Sequence, residues 1–417
     1  MSTHKHIDWI CVAVVLCTIL ITVLFMNGRR LGIEPIVDED AAAQEESSRF
    51  TANDLRGDWS TTGATVITLQ DRESHVSGQG AYVYGRDVII SNGGRYVLSG
   101  TLHDGSIIVD ASGSSKVWLL LNGVDVARSD DACIRVEQAE KVFLTLAEGT
   151  ENRLSSGEAY SQEARESGRD GAIYAADDLT INGSGALWIE AGYWHGIEAN
   201  DDLVITGGTI TVTSAQDALS VNDSLRLCGA EVFLDAGDDG LTVKTGETGY
   251  FYMESGSLSV SAGDDGLCSA GDVILAGGES VIAASDDGVH ADGTIQLLSG
   301  SVNIHDCYEG MEAAHVDISG GSVSVYPEDD GICAAGGEDP WIHISGGSVQ
   351  IVSTGASGSD GLDSNGDVVI SGGDVRISVP DSGGSSAIDY GSESGGTATV
   401  SGGTVIACGG WKMARGF

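Results

Sequence analysis

The sequence predicts an all-β protein, a right-handed parallel β-helix of about 22 residues per coil behind an N-terminal transmembrane helix. Three observations carry this. First, an acidic turn, a small residue and a short apolar strand recur along the chain: "GDDGLTV" from Gly237, "GDDGLCS" from Gly263, "SDDGVHADG" from Ser285, "YEGMEA" from Tyr308, "EDDGICA" from Glu328 and "SDGLDS" from Ser359. Second, alternating strands flank a small-residue turn in the same units, as in "LVITGGTITV" from Leu203, "HVDISGGSVSV" from His315, "IHISGGSVQI" from Ile342 and "VVISGGDVRI" from Val368. Third, the small residue after each acidic turn falls at Ala172, Gly196, Ala218, Gly240, Gly266, Gly288, Gly310, Gly331, Gly361 and Ala387, mostly 21 or 22 residues apart. Leucine-rich repeats are excluded by the lack of LxxLxL and of helical segments, and a propeller blade needs about 40 residues.

Taken from the amino terminus, Ile7–Met26 is a run of about 20 mostly apolar positions broken only by Asp8, long enough to span a bilayer. No small-x-small cleavage site follows it, and Leu16 before Cys17 does not suit a lipoprotein site. A retained single-pass anchor over 1–30 is expected rather than a cleaved signal peptide, with the β-helix outside the cell. Residues 31–49, rich in Glu, Ala and Ser, read as a flexible stalk. Residues 50–169 are less regular and read as an N-terminal β cap with early coils, which a solenoid needs at its end. Within them, "TLAEGTENRLSSGEAYSQEARESGRD" from Thr145 reads as an excursion loop. Residues 170–417 form the regular β-helix. Stacking at about 4.8 Å makes Val289, Met311 and Ile332 one buried ladder and the acidic turns one exposed column. Glycine is expected where the chain turns sharply beside its own copies.

With 20 Lys+Arg against 62 Asp+Glu the net charge is −42, which excludes nucleic acid and anionic lipid headgroups as partners. Hydrophobic content of 41% suffices for a core. Cys11 and Cys17 lie in the anchor, while Cys133, Cys228, Cys268, Cys307, Cys333 and Cys408 show no paired spacing, so neither zinc nor a disulfide framework is expected.

Carboxylates about 5 Å apart on neighbouring coils repel one another unless a cation compensates, and hard oxygen donors select calcium. The candidate ligands are Asp238, Asp239, Asp264, Asp265, Asp286, Asp287, Glu309, Asp329, Asp330 and Asp360. Alternation in the following strand leaves a second outward column of Glu198, His290, Glu312, Asp363 and Asp389. Asp also suits turns by bonding backbone amides, which explains one Asp per turn but not paired ones.

In their order, "DLTINGSG", "HGIEANDDLVITGGTITV", "DDGLTV", "DDGVHADG", "YEGMEA", "DDGICAAGG" and "DGLDSNGDVVISGG" resemble the calcium-binding, carbohydrate-binding β-helix family of bacterial surface proteins. "GTLHDGSIIVD", "LNGVDV" and "LAEGTENRL" extend the resemblance to about 50–410, although the chain stops at Phe417, soon after "GGTVIACGG". The resemblance implies a pectate-lyase-like fold, calcium between coils and binding of acidic, polygalacturonate-type or cellulosic polysaccharide, with Glu198, His290, Glu312, Asp363, Asp389 and Trp194 as candidate glycan contacts. A neutral glycan would stack on aromatics, for which Trp188, Tyr193, Trp194 and the run Tyr250, Phe251, Tyr252 are candidates. Two alternatives stand beside this binder. A pectate-type lyase would need a base, and between Gly171 and Cys408 only Arg226, Lys244 and Arg376 are strongly basic, with Lys244 the candidate. A structural or adhesive surface β-helix would need neither glycan nor base.

Overall fold

A computed structural model describes residues 49–409 except 247, 354, 356–357, 381–382 and 393. The expected anchor, Ile7–Met26, lies outside the described residues, among which no helix is long and apolar enough to cross a membrane. From Asp54 onward the chain winds into a parallel β-solenoid whose 38 described strands join in one continuous sheet.

Most coils contribute three strands, the first two merging in Val289–Leu297 and Met311–Ile318, and from Asp87 onward each strand pairs in parallel with its counterpart one coil away. The first face holds the strand that follows the acidic turn: His195–Ala199, Leu219–Val221, Leu241–Val243, Leu267–Ser269 and their successors. The second face holds Leu203–Ile205, Ser224–Leu227, Tyr250–Met253 and Asp272–Leu275, and the third Thr209–Ser214, Ala230–Ala236, Gly256–Ala262 and Glu279–Ala283. Strict alternation builds the third face: in Ala230–Ala236 the apolar members are buried while Glu231, Phe233 and Asp235 point out. The expected ladder is present, since Leu267 pairs with Val289, Val289 with Met311 and Met311 with Ile332, all with no exposed surface.

The entry to the solenoid is a pair of antiparallel couples, Thr65–Leu69 with His75–Ser77 and Ala81–Tyr84 with Asp87–Ile90. Parallel stacking follows at once, as Asp87–Ile90 pairs with Ile107–Asp110 and that strand with Ile134–Gln138. The excursion expected from Thr145 is shorter than the sequence suggests. Glu151–Ser156 is a third-face strand lying between Lys116–Arg128 and Ala186–Ala191. Polar side chains at inward positions hid it: Asn152 is buried, and its Oδ1 accepts the amides of Gly123 and Val124 at 3.0 and 3.1 Å. The departure begins after Ser156 and contains a short helix, Gln162–Glu166, capped by Ser161.

The acidic-turn glycines lie beside their own copies as expected, and close approach rather than turn conformation is what requires them. Gly240, Gly266, Gly288, Gly310, Gly331 and Gly361 do not adopt left-handed backbone. A Cβ on Gly288 would lie 2.2 Å from Ile304 Cγ2 and 2.7 Å from the carbonyl oxygen of Gly310. The position is closed by core side chain and neighbouring backbone, so glycine is required by close approach. Positive φ is needed instead in the turn before each third-face strand, at Gly278, Gly300, Gly321, Gly347 and Gly373. Gly288→Ala should therefore destabilise by about 1–3 kcal/mol through overpacking, read as a lowered thermal midpoint; an unchanged midpoint would show that the coil relaxes freely there.

Candidate functional site

The acidic column is two columns rather than the single exposed one expected. In each pair the outer acid faces solvent, as Asp264 and Asp286 do, with Asp238 and Asp329 half-buried. The inner acid turns toward the strand edge: Asp287 is 5% exposed and Asp360 7%. Its backbone continues the ladder, because the amide of Gly240 donates to the carbonyl of Asp265, that of Gly266 to Asp287 and that of Gly288 to Glu309. Its side chain extends the ladder by one more bond. Asp239 Oδ1 accepts the amide of Asp265 at 3.0 Å, Asp265 Oδ1 that of Asp287 at 3.0 Å, and Asp330 Oδ1 that of Asp360 at 2.6 Å. Asp360 accepts the amide of Ser386 in the same way.

At Asp217, Asp239 and Asp287 the second oxygen of the inner acid meets the side chain three residues on. Ser220 donates to Asp217 Oδ2 at 2.9 Å, Thr242 to Asp239 Oδ2 at 3.0 Å, and His290 Nδ1 lies 3.0 Å from Asp287 Oδ2. These partners form one in-register line on the first face, running Glu198, Ser220, Thr242, Cys268, His290, Glu312, Cys333, Asp363 and Asp389.

Stacking these acids raises their pKa values. Burial, joined by neighbouring carboxylates, pushes Asp239 up to about 7, Glu309 to about 8, and Asp330 and Asp360 to about 7. Burial likewise raises Asp238, Asp265 and Asp363. Asp287 rises only to about 6 because His290 beside it offsets part of the burial, and His290 itself is lifted to about 9 by that hydrogen bond. His290 also lies 3.5 Å from Glu312 and 3.7 Å from Asp292, so it serves as a built-in cation. Earlier in the column Asp131, 3% exposed, is clamped by Arg169 and Arg135 at 3.0 and 2.6 Å. Among the described residues Asp239, Glu309, Asp330 and Asp360 show no such basic partner.

The donor sets fit calcium at one end better than at the other. Asp238, Asp239 and Asp264 bring oxygens within 4.8 Å of one another, and so do Asp264, Asp265 and Asp286. Both sets are hard carboxylates sharing Asp264. Glu309, Glu312 and Cys333, and Asp330, Cys333 and Asp363, are equally close but include a thiol that burial pushes far up, a poor ligand for a hard cation. Glu309 Oε2 is buried with no hydrogen-bond partner among the described residues, an oxygen a cation would satisfy.

The remaining candidates lie apart from these sets. Glu198 is buried at 6% exposure, which raises its pKa, and it accepts the amide of Asp170 at 2.9 Å. Asp389 accepts its neighbour's amide, from Tyr390, at 2.7 Å. Trp194 is 39% exposed and meets the His195 ring edge-on at 5.4 Å. Lys244 is exposed. The structure adds Asp217 and Asp131, inner acids whose turns the sequence showed as "QDA" and "DDA", and the thiols Cys268 and Cys333, which only the register places beside them.

A raised carboxyl pKa favours the folded state while the group is protonated, and that contribution is lost as pH climbs through the folded value. Without added metal, the thermal midpoint should fall between about pH 5 and 8 as Asp239, Glu309, Asp330 and Asp360 ionise. Asp330→Asn keeps the acceptor for Asp360 and removes the ionisation, so its melts in chelator should depend less on pH; an unchanged slope would show that Asp330 does not titrate there.

Comparison with known proteins identifies the chain's relatives. A family model described as "Carbohydrate-binding domain-containing protein" matches residues 84–286 and 269–411. A carbohydrate-binding domain-containing protein of Acetivibrio thermocellus is 32% identical over 241 residues, covering 57% of this chain and 84% of its own. A solved structure of a polysaccharide lyase-like protein from C. thermocellum, a gadolinium derivative, matches with a TM-score of 0.50 at 29% identity, over 60% of this chain and 97% of that one. This chain belongs to the carbohydrate-binding domain-containing protein family.

Proposed function

We propose that this carbohydrate-binding protein holds calcium along its acidic column and through it binds acidic, polygalacturonate-like polysaccharide at the cell surface. The observation that carries the reading is the set of stacked carboxylates Asp238, Asp239 and Asp264, for which the described residues supply no Arg or His ion pair of the kind found at Asp131 and Asp287. A protein of net charge −42 repels a polyanionic glycan. Calcium bound to the outer acids would supply positive charge and coordination positions that uronate carboxylates can fill. The chain's own part is to hold the inner acids by backbone amides and leave Asp238, Asp264 and Asp286 facing outward. The similar structure from C. thermocellum is a gadolinium derivative, and gadolinium is likewise a hard cation that prefers oxygen donors.

A pectate-type elimination would need a base, and the candidate, Lys244, is an exposed side chain whose charge acts on His195 and Glu198. Binding without cleavage therefore fits better. The Ile7–Met26 segment would anchor the solenoid on the outer face of the membrane.

Calcium should raise the thermal midpoint and chelator should lower it. Polygalacturonate should bind in calcium, be released by chelator, and give no ultraviolet-absorbing unsaturated product. Asp264→Asn, which removes the charge shared by both carboxylate sets, should weaken calcium-dependent binding by about tenfold, or about 1.4 kcal/mol, while Lys244→Ala leaves it unchanged. An unsaturated product lost with Lys244→Ala would make the protein a lyase. Separately, the full chain should sediment with membranes and its solenoid be open to external protease; a soluble form starting near residue 30 would mark a cleaved signal.

A further inference from the structure

The second-face strand Lys141–Leu146 is buried at every position, although alternate side chains of a solenoid strand point outward. Its outward side is covered by the segment that enters the solenoid from Asp54. Trp59 Nε1 donates to Thr145 Oγ1 at 3.1 Å, and a Cβ on Gly57 would lie 3.1 Å from Gly183 Cα. The backbone carbonyl of Asp54 accepts Asn182 Nδ2 at 3.3 Å and the Thr206 hydroxyl. This strap is thereby tied to three successive coils. At its start the Asp54 side chain, with no exposed surface, accepts the Thr180 hydroxyl on Oδ1 at 2.7 Å and meets Lys141 Nζ on the same oxygen at 2.9 Å.

Among the described residues Lys141 is the one buried lysine, 9% exposed. Its Nζ lies 5.7 Å from the centroid of the Phe143 ring, which stacks on Trp118 at 5.3 Å. A second carboxylate, Asp178, pairs in register with Lys141 from the next coil and stands 3.8 Å from Nζ. Burial raises the Asp178 pKa against the opposing charge of Lys141, which suits a group that must take up a proton and return it. A buried ion pair by itself calls for none of this, and at Asp131 the same fold uses arginines. Lysine differs from arginine in becoming a nucleophilic amine when it gives up a proton in apolar surroundings. Amine, carboxyl and proton carrier are here held together by the fold, the reacting pair shut away from water.

We propose that this is a modification site, where Lys141 Nζ and Asp54 Cγ join in an intramolecular amide bond with Asp178 as proton carrier. One ammonium proton passes to the Asp54 carboxylate, neutralising both groups, and the amine attacks Cγ while Thr180 holds Oδ1. Asp178 takes a second proton from the nitrogen and hands it to Oδ2. The Cγ–N bond forms and the Cγ–Oδ2 bond breaks. Oδ2 leaves as water with both protons, and the third hydrogen stays on the amide nitrogen. Nothing is oxidised or reduced and no co-reactant is consumed. The product replaces a buried ion pair with a neutral amide and staples the strap to the solenoid, so that a pull on the residues before Asp54 passes into the coils. It needs neither calcium nor glycan and stands apart from the function proposed above.

The test is proteolysis of the full chain, purified in detergent, with tandem mass spectrometry of the peptides. The wild-type protein should yield a branched peptide joining Asp54 to Lys141, lighter by one water than its two arms together. Lys141→Arg keeps a cation beside Asp54 but cannot form the amide, so the branched peptide should vanish and the thermal midpoint should fall by several degrees as the closed loop is lost. Asp178→Asn keeps the shape and removes the proton carrier, so it should melt cooperatively with the branched peptide reduced about tenfold or more. The wild-type result decides whether or not either variant folds. Two linear peptides without a branch in the wild-type protein, a branch at any other pair of residues, or full linkage in Asp178→Asn would each overturn the proposal.

Discussion

Parallel pairing advances by a whole coil each time, Leu241 onto Leu267 onto Val289 onto Met311, and so brings each residue to about 4.8 Å from its counterpart. That register turns every position into a column of near-copies. For an apolar residue the consequence is favourable, because stacked Leu, Val, Met and Ile bury one another. For a glycine such as Gly288 it is restrictive, since the neighbouring coil's carbonyl occupies the place of a Cβ. For a carboxylate it is costly, because copies of one charge lie one coil apart in a partly buried setting.

The protein answers that cost differently along its axis. At Asp131 it supplies Arg169 and Arg135, and at Asp287 it supplies His290. Between and beyond, the inner acids are held by backbone amides of the next coil and by hydroxyls such as that of Thr242. Amides and hydroxyls satisfy lone pairs but do not cancel charge, so these acids take up protons near neutral pH. Around Asp264 the carboxylates of Asp238 and Asp239 lie close together, and among the described residues none of the three is ion-paired to an Arg or His. The third face treats its outward positions in the opposite manner, setting large apolar groups at Trp188, Phe233 and Val281 and small hydroxyl residues between them. One stacking rule thus yields an anionic face and a partly apolar face on the same solenoid.

Much of this was legible in the chain itself. The repeating acidic turn and the alternating strands specified parallel coils and the Val289, Met311 and Ile332 ladder, because inward and outward positions alternate with a period of two. The paired acids were legible as a charge problem. The division into inner and outer acids was not, because both members of "DDG" read alike until the next coil's amide is placed beside one of them. Glu151–Ser156 escaped for a related reason: an inward Asn152 breaks the apolar pattern, and only the amides of Gly123 and Val124 justify its burial.

The sequence by itself determined the coil period, the core ladders and the excess of carboxylates, since all three follow from local pattern and composition. Tertiary structure decided what lies one coil away. It gave Asp287 its imidazolium, placed Cys268 and Cys333 in line with Glu312, and set Trp188 and Phe233 on alternate coils of one column. The physical reason is that insertions of unequal length separate the coils, so neighbours in space are fixed by hydrogen-bond register and not by a constant count along the chain.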